Sequence, residues 1–313
     1  MSESPAPQRS YRPQASNGRW GIALSCLLVG GALLGIATNL AKLAVQIHLT
    51  PLAFLFWSIA GAAIILLIVA YWRGELLTPS RRSFEYYIVA ALVSVAGSNL
   101  IFFSAIPHVG ASFVALIISL PPLLTYVAAL AIKLERFSWL RAIGVICALG
   151  GAGVLAARKF SAPEASVFWI ALTLCGPVLL AIGNIYRSLR WPDEASPIAL
   201  APGMLIAAAL ILALFGLLPN FSLVVPIQAL PLGLITLQAS IFAAQFLLLF
   251  VLQKAGGPVL LSLLGAVGAA VGVPVAVYLQ GEAVPEGLVL GGLLIATGVI
   301  LVTYGGIKKP SYK

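Results

Sequence analysis

Read for hydrophobic and polar positions, the chain is a succession of long apolar runs separated by short polar loops. Ten such runs follow one another, at residues 20–44, 50–72, 85–106, 109–132, 139–157, 165–187, 195–218, 229–253, 256–280 and 286–306. A hydrocarbon core about 30 Å thick takes roughly 20 residues of helix per crossing, so each run predicts one membrane-spanning helix; these are spans 1 to 10. Backbone amides find no water in that core, which makes the helix the structure for an unbroken apolar run. The spans use up almost the whole chain, and no soluble catalytic domain fits in what remains.

The pattern inside the spans repeats. An ungapped overlay puts Gly110 on Gly257, Leu116 on Leu263, Glu135 on Glu282, Gly144 on Gly291 and Gly151 on Gly298. Span 1 places Gly31, Asn39 and Lys42 opposite Gly176, Asn184 and Arg187 of span 6, and Pro51 meets Pro197 at the mouths of spans 2 and 7. The chain therefore divides into five spans plus five. Five is odd, so the second copy enters the bilayer upside down, the inverted repeat that makes two related half-gates. The expected architecture is an all-α polytopic membrane protein: ten transmembrane helices as two inverted-topology five-helix repeats around a central cavity. Its parts are a disordered cytoplasmic tail at 1–18, repeats at 19–160 and 161–307, and a cytoplasmic tail at 308–313.

Composition agrees, with 61% of residues hydrophobic and 9% charged. Of 18 Lys and Arg residues, all but Lys42, Arg158 and Lys159 fall on the side that carries the termini. The positive-inside rule then predicts cytoplasmic termini for a multi-pass protein of the inner (plasma) membrane. The net charge of +9 has the same cause, since it meets anionic headgroups of the lipid bilayer. No basic cluster exceeds two residues, which argues against a nucleic-acid partner. Cys26, Cys147 and Cys175 lie inside spans without pairing motifs and predict neither a disulfide nor a metal site.

The nine carboxylates lie in tails, loops or within a turn of a helix end, with none at the midplane. A proton- or sodium-coupling carboxylate is therefore missing, as are the HExxH and paired-acid patterns of hydrolases, so neither an enzyme nor a cofactor is expected. Polar groups inside the spans are neutral. Ser112, Ser119 and Tyr126 share a face of span 4, Gln238 and Gln245 share one of span 8, and Ser94 and Ser98 stand four apart in span 3 with Asn99 beside them. Such faces turn from lipid, toward another helix or a wet cavity. Asn39 and Asn184 suit either role, Trp57 is a candidate cavity wall, and Lys42 and Arg187 are expected to snorkel to opposite interfaces.

Four helices are expected to bend as gates: span 4 at Pro121-Pro122, span 9 at the small residues around Gly268 and at Pro274, span 6 at Gly176-Pro177, and span 1 at Gly30-Gly31. Spans 5 and 10 carry small-xxx-small stripes, Gly144, Ala148 and Ala152 and then Gly287 and Gly291, suited to a scaffold and equally to a homodimer.

Two inverted five-helix copies, each closing with an apolar span, an acidic turn (Leu134-Glu135-Arg136, then Gly281-Glu282) and a Gly-spaced last span, resemble the drug/metabolite transporter superfamily in its EamA-like ten-helix branch. The resemblance covers residues 19–307. It implies export of amino acids and other small metabolites through a central cavity lined by helices 1, 3, 4, 6, 8 and 9. On this chain the lining would be Asn39, Ser94, Ser98, Ser119, Tyr126, Asn184, Gln238 and Gln245. The first turn departs from the usual Gly-Glu, so Glu135 matches less closely than Glu282. The four-helix drug exporters of the superfamily use a membrane carboxylate that this chain lacks, and the phosphate-sugar exchangers would want basic residues at the midplane. The expectation is an exporter or facilitator of small neutral or zwitterionic solutes working by alternating access. A non-transporting membrane scaffold is the reading from another class.

Overall fold

The computed structural model describes residues 17–76, 80–132, 137–160, 166–192, 195–219, 221–284 and 287–307. Most of the two expected tails, at 1–16 and 308–313, and Glu135 lie outside the described residues. Among the described residues twelve α-helices follow in order: α1 (Asn17–Gln46), α2 (Pro51–Trp72), α3 (Arg81–Ala90), α4 (Ser98–Val109), α5 (Ala111–Ile117), α6 (Pro121–Ala131), α7 (Trp139–Phe160), α8 (Val167–Leu189), α9 (Pro197–Phe215), α10 (Ala229–Ser262), α11 (Leu264–Pro274) and α12 (Leu288–Ile307). Two π-helical segments, Ala91–Gly97 and Val275–Leu279, join α3 to α4 and extend α11. Among the described residues there is no strand, and the protein is an all-α polytopic membrane protein.

Among the described residues, seven helical stretches are long and apolar enough to cross a bilayer, and shorter apolar helices at Trp139–Leu155, Leu264–Leu279 and Leu288–Val302 occupy spans 5, 9 and 10. Local chemistry marks the ends. Thr50 and Ser196 each precede a proline at the first helical position and accept the amide N–H three residues on, from Ala53 and Ala199. The repeat therefore preserves a hydrogen-bonded cap as well as a residue type. Spans 3 and 4 are joined by Gly110 alone, at φ +87°, where any side chain would also overlap the Glu282 carboxylate.

Spans 8 and 9 keep helical hydrogen bonding through α10. Yet Gly30 touches both Leu248 and Leu264, which a straight helix would hold about 24 Å apart at 1.5 Å per residue. The chain therefore folds back between Leu248 and Leu264.

The packing partners exchange when spans 1–5 are swapped with spans 6–10. α1 lies on α10 and α11, as α8 lies on the α4 region and α6; α2 lies on α10, as α9 lies on the π segment of span 3. The pairs α2–α9 and α7–α12 map onto themselves. In α7–α12, Gly144 faces Gly298 and Gly151 faces Gly291 backbone to backbone, so these helices run antiparallel. The small-residue stripes of spans 5 and 10 thus pack on each other within one chain and carry no argument for a homodimer.

Two of the four positions named as bends coincide with interruptions of the α-helix. Span 4 breaks at Ile118–Leu120, because Pro121 and Pro122 cannot donate to the preceding turn and so begin a new helix. Span 9 departs from α-helix at Leu263 and again after Pro274, where the π segment starts. Spans 1 and 6 show no such interruption. α1 runs unbroken through Gly31, and α8 runs unbroken through Gly176 and Pro177. In both the glycine makes room for a neighbour: Gly31 receives Val267, and Gly176 receives the ring of Phe102. The π-helical stretch of span 3 was not anticipated. Ser98 Oγ donates to Ser94 O at 2.7 Å and Asn99 Nδ2 to Val95 O at 2.8 Å, supplying donors around the wider turn.

Candidate functional site

Three polar regions follow one another through the bundle. The first closes the face opposite the termini. Glu282, just beyond span 9, accepts the Ala111 amide at 3.1 Å, the Ser112 amide at 3.2 Å and the Ser112 hydroxyl, and pairs with Lys42 Nζ at 2.9 Å. A carboxylate thus caps the N-terminal end of α5 while binding a cation from span 1, two favourable charges at one point. Lys42 does not snorkel. Packing of α1 on α11 brings a partner from 240 residues away, and both side chains are mostly covered, at 19% and 13% exposure.

Just inside this closure, α1 and α11 approach through Gly35, whose position leaves no room for a Cβ against Gly268 O and Gly272 N. Asn39 bridges the two helices, Nδ2 donating to Gly35 O at 2.8 Å and Gly272 O at 2.9 Å, and Gln280 Nε2 returns a bond to Asn39 O. Asn39 therefore bolts span 1 to span 9, although its Oδ1 is buried without a partner.

The second region is the interior of the bundle. Gln238 is fully buried with neither amide atom hydrogen-bonded, and Gln245 Oε1, Ser94 Oγ and Thr125 Oγ1 are likewise buried without partners. Ser94 lies directly against Gly183 of span 6. Nearby, the Phe242 ring stands 6.1 Å from Phe103, which is 6.2 Å from Phe54. Ser98 and Ser119 bond back to their own helices, at Ser94 O and Leu116 O.

Ser119 also faces a different space, a cavity of about 370 Å³ between spans 4, 9 and 10 whose other walls are apolar, Leu116, Ala269, Pro274, Leu293 and Ala296 among them. Tyr126 stands apart from the interior set. Its hydroxyl accepts the Ser138 amide at 2.9 Å and its ring lies 4.9 Å beneath the Arg141 guanidinium, tying span 4 to the start of span 5. Trp57 is half-exposed, and its indole N–H donates to Leu223 O.

The third region lies at the termini-side ends of spans 6 and 8. Arg187 Nε donates to Gln253 Oε1 at 3.1 Å and Nη2 to Asn184 Oδ1 at 2.7 Å, while Gln253 Nε2 donates to Ser188 Oγ at 3.1 Å. Arg187 was expected to snorkel and instead is 2% exposed. Asn184 thus serves as its acceptor. Neither the Lys42–Glu282 closure nor the Arg187 cluster was singled out from sequence. The signal was present in the overlay, which pairs Lys42 with Arg187 and Glu282 with Glu135.

The sequence model of the EamA-like transporter family matches residues 20–157, from the start of span 1 to the end of span 5. That stretch, a little under half of the chain, is similar to the EamA-like transporter family. The matched stretch contains Lys42, Ser94, Ser98 and both prolines of the span 4 break. No curated protein matches it. A crystal structure of another protein superposes with a TM-score of 0.65 at 17% identity, over 94% of this chain and 100% of that one, which shows the shared fold alone.

Proposed function

We propose that this chain is a membrane transporter of the drug/metabolite type that moves small organic solutes, amino acids among them, out of the cell by alternating access, along a path between its two five-span halves at spans 1, 3, 4, 6, 8 and 9. The observation that carries the reading is the set of buried, unpartnered groups on Gln238, Gln245 and Ser94. An amide or hydroxyl held in a bilayer interior without a partner is unfavourable by roughly 2 kcal/mol or more. Such groups make physical sense where a wet or solute-filled state alternates with the closed one. Neutral donors and acceptors of this kind suit a zwitterion, since an amide donates to a carboxylate and accepts from an ammonium. The exchange of packing partners between the halves supports them as the moving bodies. The Lys42–Glu282 pair holds the face opposite the termini shut.

The basic-residue bias supports cytoplasmic termini, and an exporter of this kind would stand in the inner membrane. The test is an efflux screen. Cells overproducing the chain and loaded with dipeptides should release particular amino acids faster than cells carrying the empty vector. Protein present in the membrane in normal amount with no difference in any amino acid outside would overturn the substrate class.

A further inference from the structure

Arg187 is among the largest fully buried side chains of the protein, and the partners it has are neutral amides, Asn184 and Gln253. Among the described residues no carboxylate pairs with it, whereas Lys42, its counterpart in the overlay, holds Glu282. A guanidinium removed from water loses hydration that two amide dipoles restore only in part, so its surroundings favour an anion. The side chain has five N–H donors in a planar fork, of which Asn184 and Gln253 engage two.

The nearby groups are also short of partners. The Tyr86 hydroxyl is buried without a hydrogen bond and lies within the electrostatic reach of Arg187, its ring stacked 6.2 Å from Tyr186. Ser94 Oγ, buried and unpartnered, sits at Gly183, one turn of α8 from Arg187. Gln245, with its own unpartnered oxygen, is about two turns along α10 from Gln253. A row of unfilled hydrogen-bonding groups thus runs from the middle of spans 3 and 8 to one buried cation.

We infer that Arg187 is an anion subsite at the termini-side end of the path and takes the carboxylate of the transported solute. The fork offers paired N–H donors to two carboxylate oxygens, and Asn184 and Gln253 hold its plane. Identifying the carboxylate as the solute's own rests on the transport reading; the anion subsite does not. Buried as it is here, the guanidinium is reached when spans 6 and 8 part, and a carboxylate that binds only the parted form shifts the population toward it.

The probe is sodium acetate, titrated into the purified full-length protein in detergent at constant ionic strength balanced with sodium methanesulfonate, with the melting midpoint as readout. Acetate should raise the midpoint of the parent protein, chloride should do so less, and Arg187→Gln should bind acetate at least about tenfold more weakly. Arg187→Lys, which keeps the charge and loses the fork, should also weaken acetate binding and serves where Arg187→Gln is not recovered folded. A parent midpoint indifferent to acetate, an equal response to chloride, or parental acetate affinity in either variant overturns the subsite. Amino-acid efflux with no acetate response would leave transport standing without the subsite. An acetate response lost in Arg187→Gln, in a protein that exports nothing, would leave the subsite standing without the transport reading.

Discussion

Gln245→Leu is expected to reach the membrane in normal amount and to lose solute affinity by about five- to 150-fold, the equivalent of one buried hydrogen-bonded contact worth roughly 1 to 3 kcal/mol. Leucine keeps the volume and suits the bilayer while removing donor and acceptor together. Gln245 is 6% exposed with an unpartnered Oε1, so the substitution breaks no hydrogen bond of that oxygen, and folding should hold or improve. Counterflow of an exported amino acid into proteoliposomes measures the loss. A purified Gln245→Leu protein with parental affinity and rate would make the amide structural, and the path would then have to be rebuilt around Asn39 and Asn184.

Glu282→Gln should release the face opposite the termini. The substitution removes the ion pair to Lys42 and the negative charge at the start of α5 while keeping the shape of the side chain. Exposed pairs contribute under about 1 kcal/mol and breaking a fully buried one costs about 3 to 5 kcal/mol, so a largely covered pair should lie near 2 kcal/mol. That is about thirtyfold in the equilibrium between closed and open forms. Ala115 is buried one turn inside the capped helix end and lies against Gly272, so a cysteine there reports the opening. In an Ala115→Cys background, Glu282→Gln should raise the rate of labelling by an impermeant maleimide from that face by about the same thirtyfold. An unchanged rate in well-expressed protein would make the pair a packing detail.

The two predictions draw on different kinds of legibility. Gln245 was readable from sequence, because an amide two turns from another amide in an apolar run must turn away from lipid. The Lys42–Glu282 pair was not, since a cation near a span end reads equally well as snorkelling, and its partner is 240 residues away. Arg187 is the sharper case: the same interfacial position gave the same expectation, yet spans 6 and 8 close over it. Asn39 and Asn184 overlay in sequence but diverge in use, one crossing to a backbone carbonyl of span 9, the other accepting from Arg187.

Glycine and proline divide in the same way. Pro121-Pro122 interrupts a helix by its own covalent chemistry, and that break could be read in advance. Pro177 lies inside an unbroken α8, and Gly31 and Gly176 are notches for Val267 and Phe102 within continuous helices. A glycine carries no mark that separates a hinge from a notch until the neighbour that fills it is known.

The linear chain by itself determined the crossings, because a backbone in hydrocarbon must satisfy its own hydrogen bonds within each apolar run, and it carried the repeat that pairs one half with the other. Only the tertiary structure decided which cation found a carboxylate and which was buried among amides. Charges and glycines take their roles from side chains tens to hundreds of residues away, and helix packing, which no local pattern encodes, brings those side chains together.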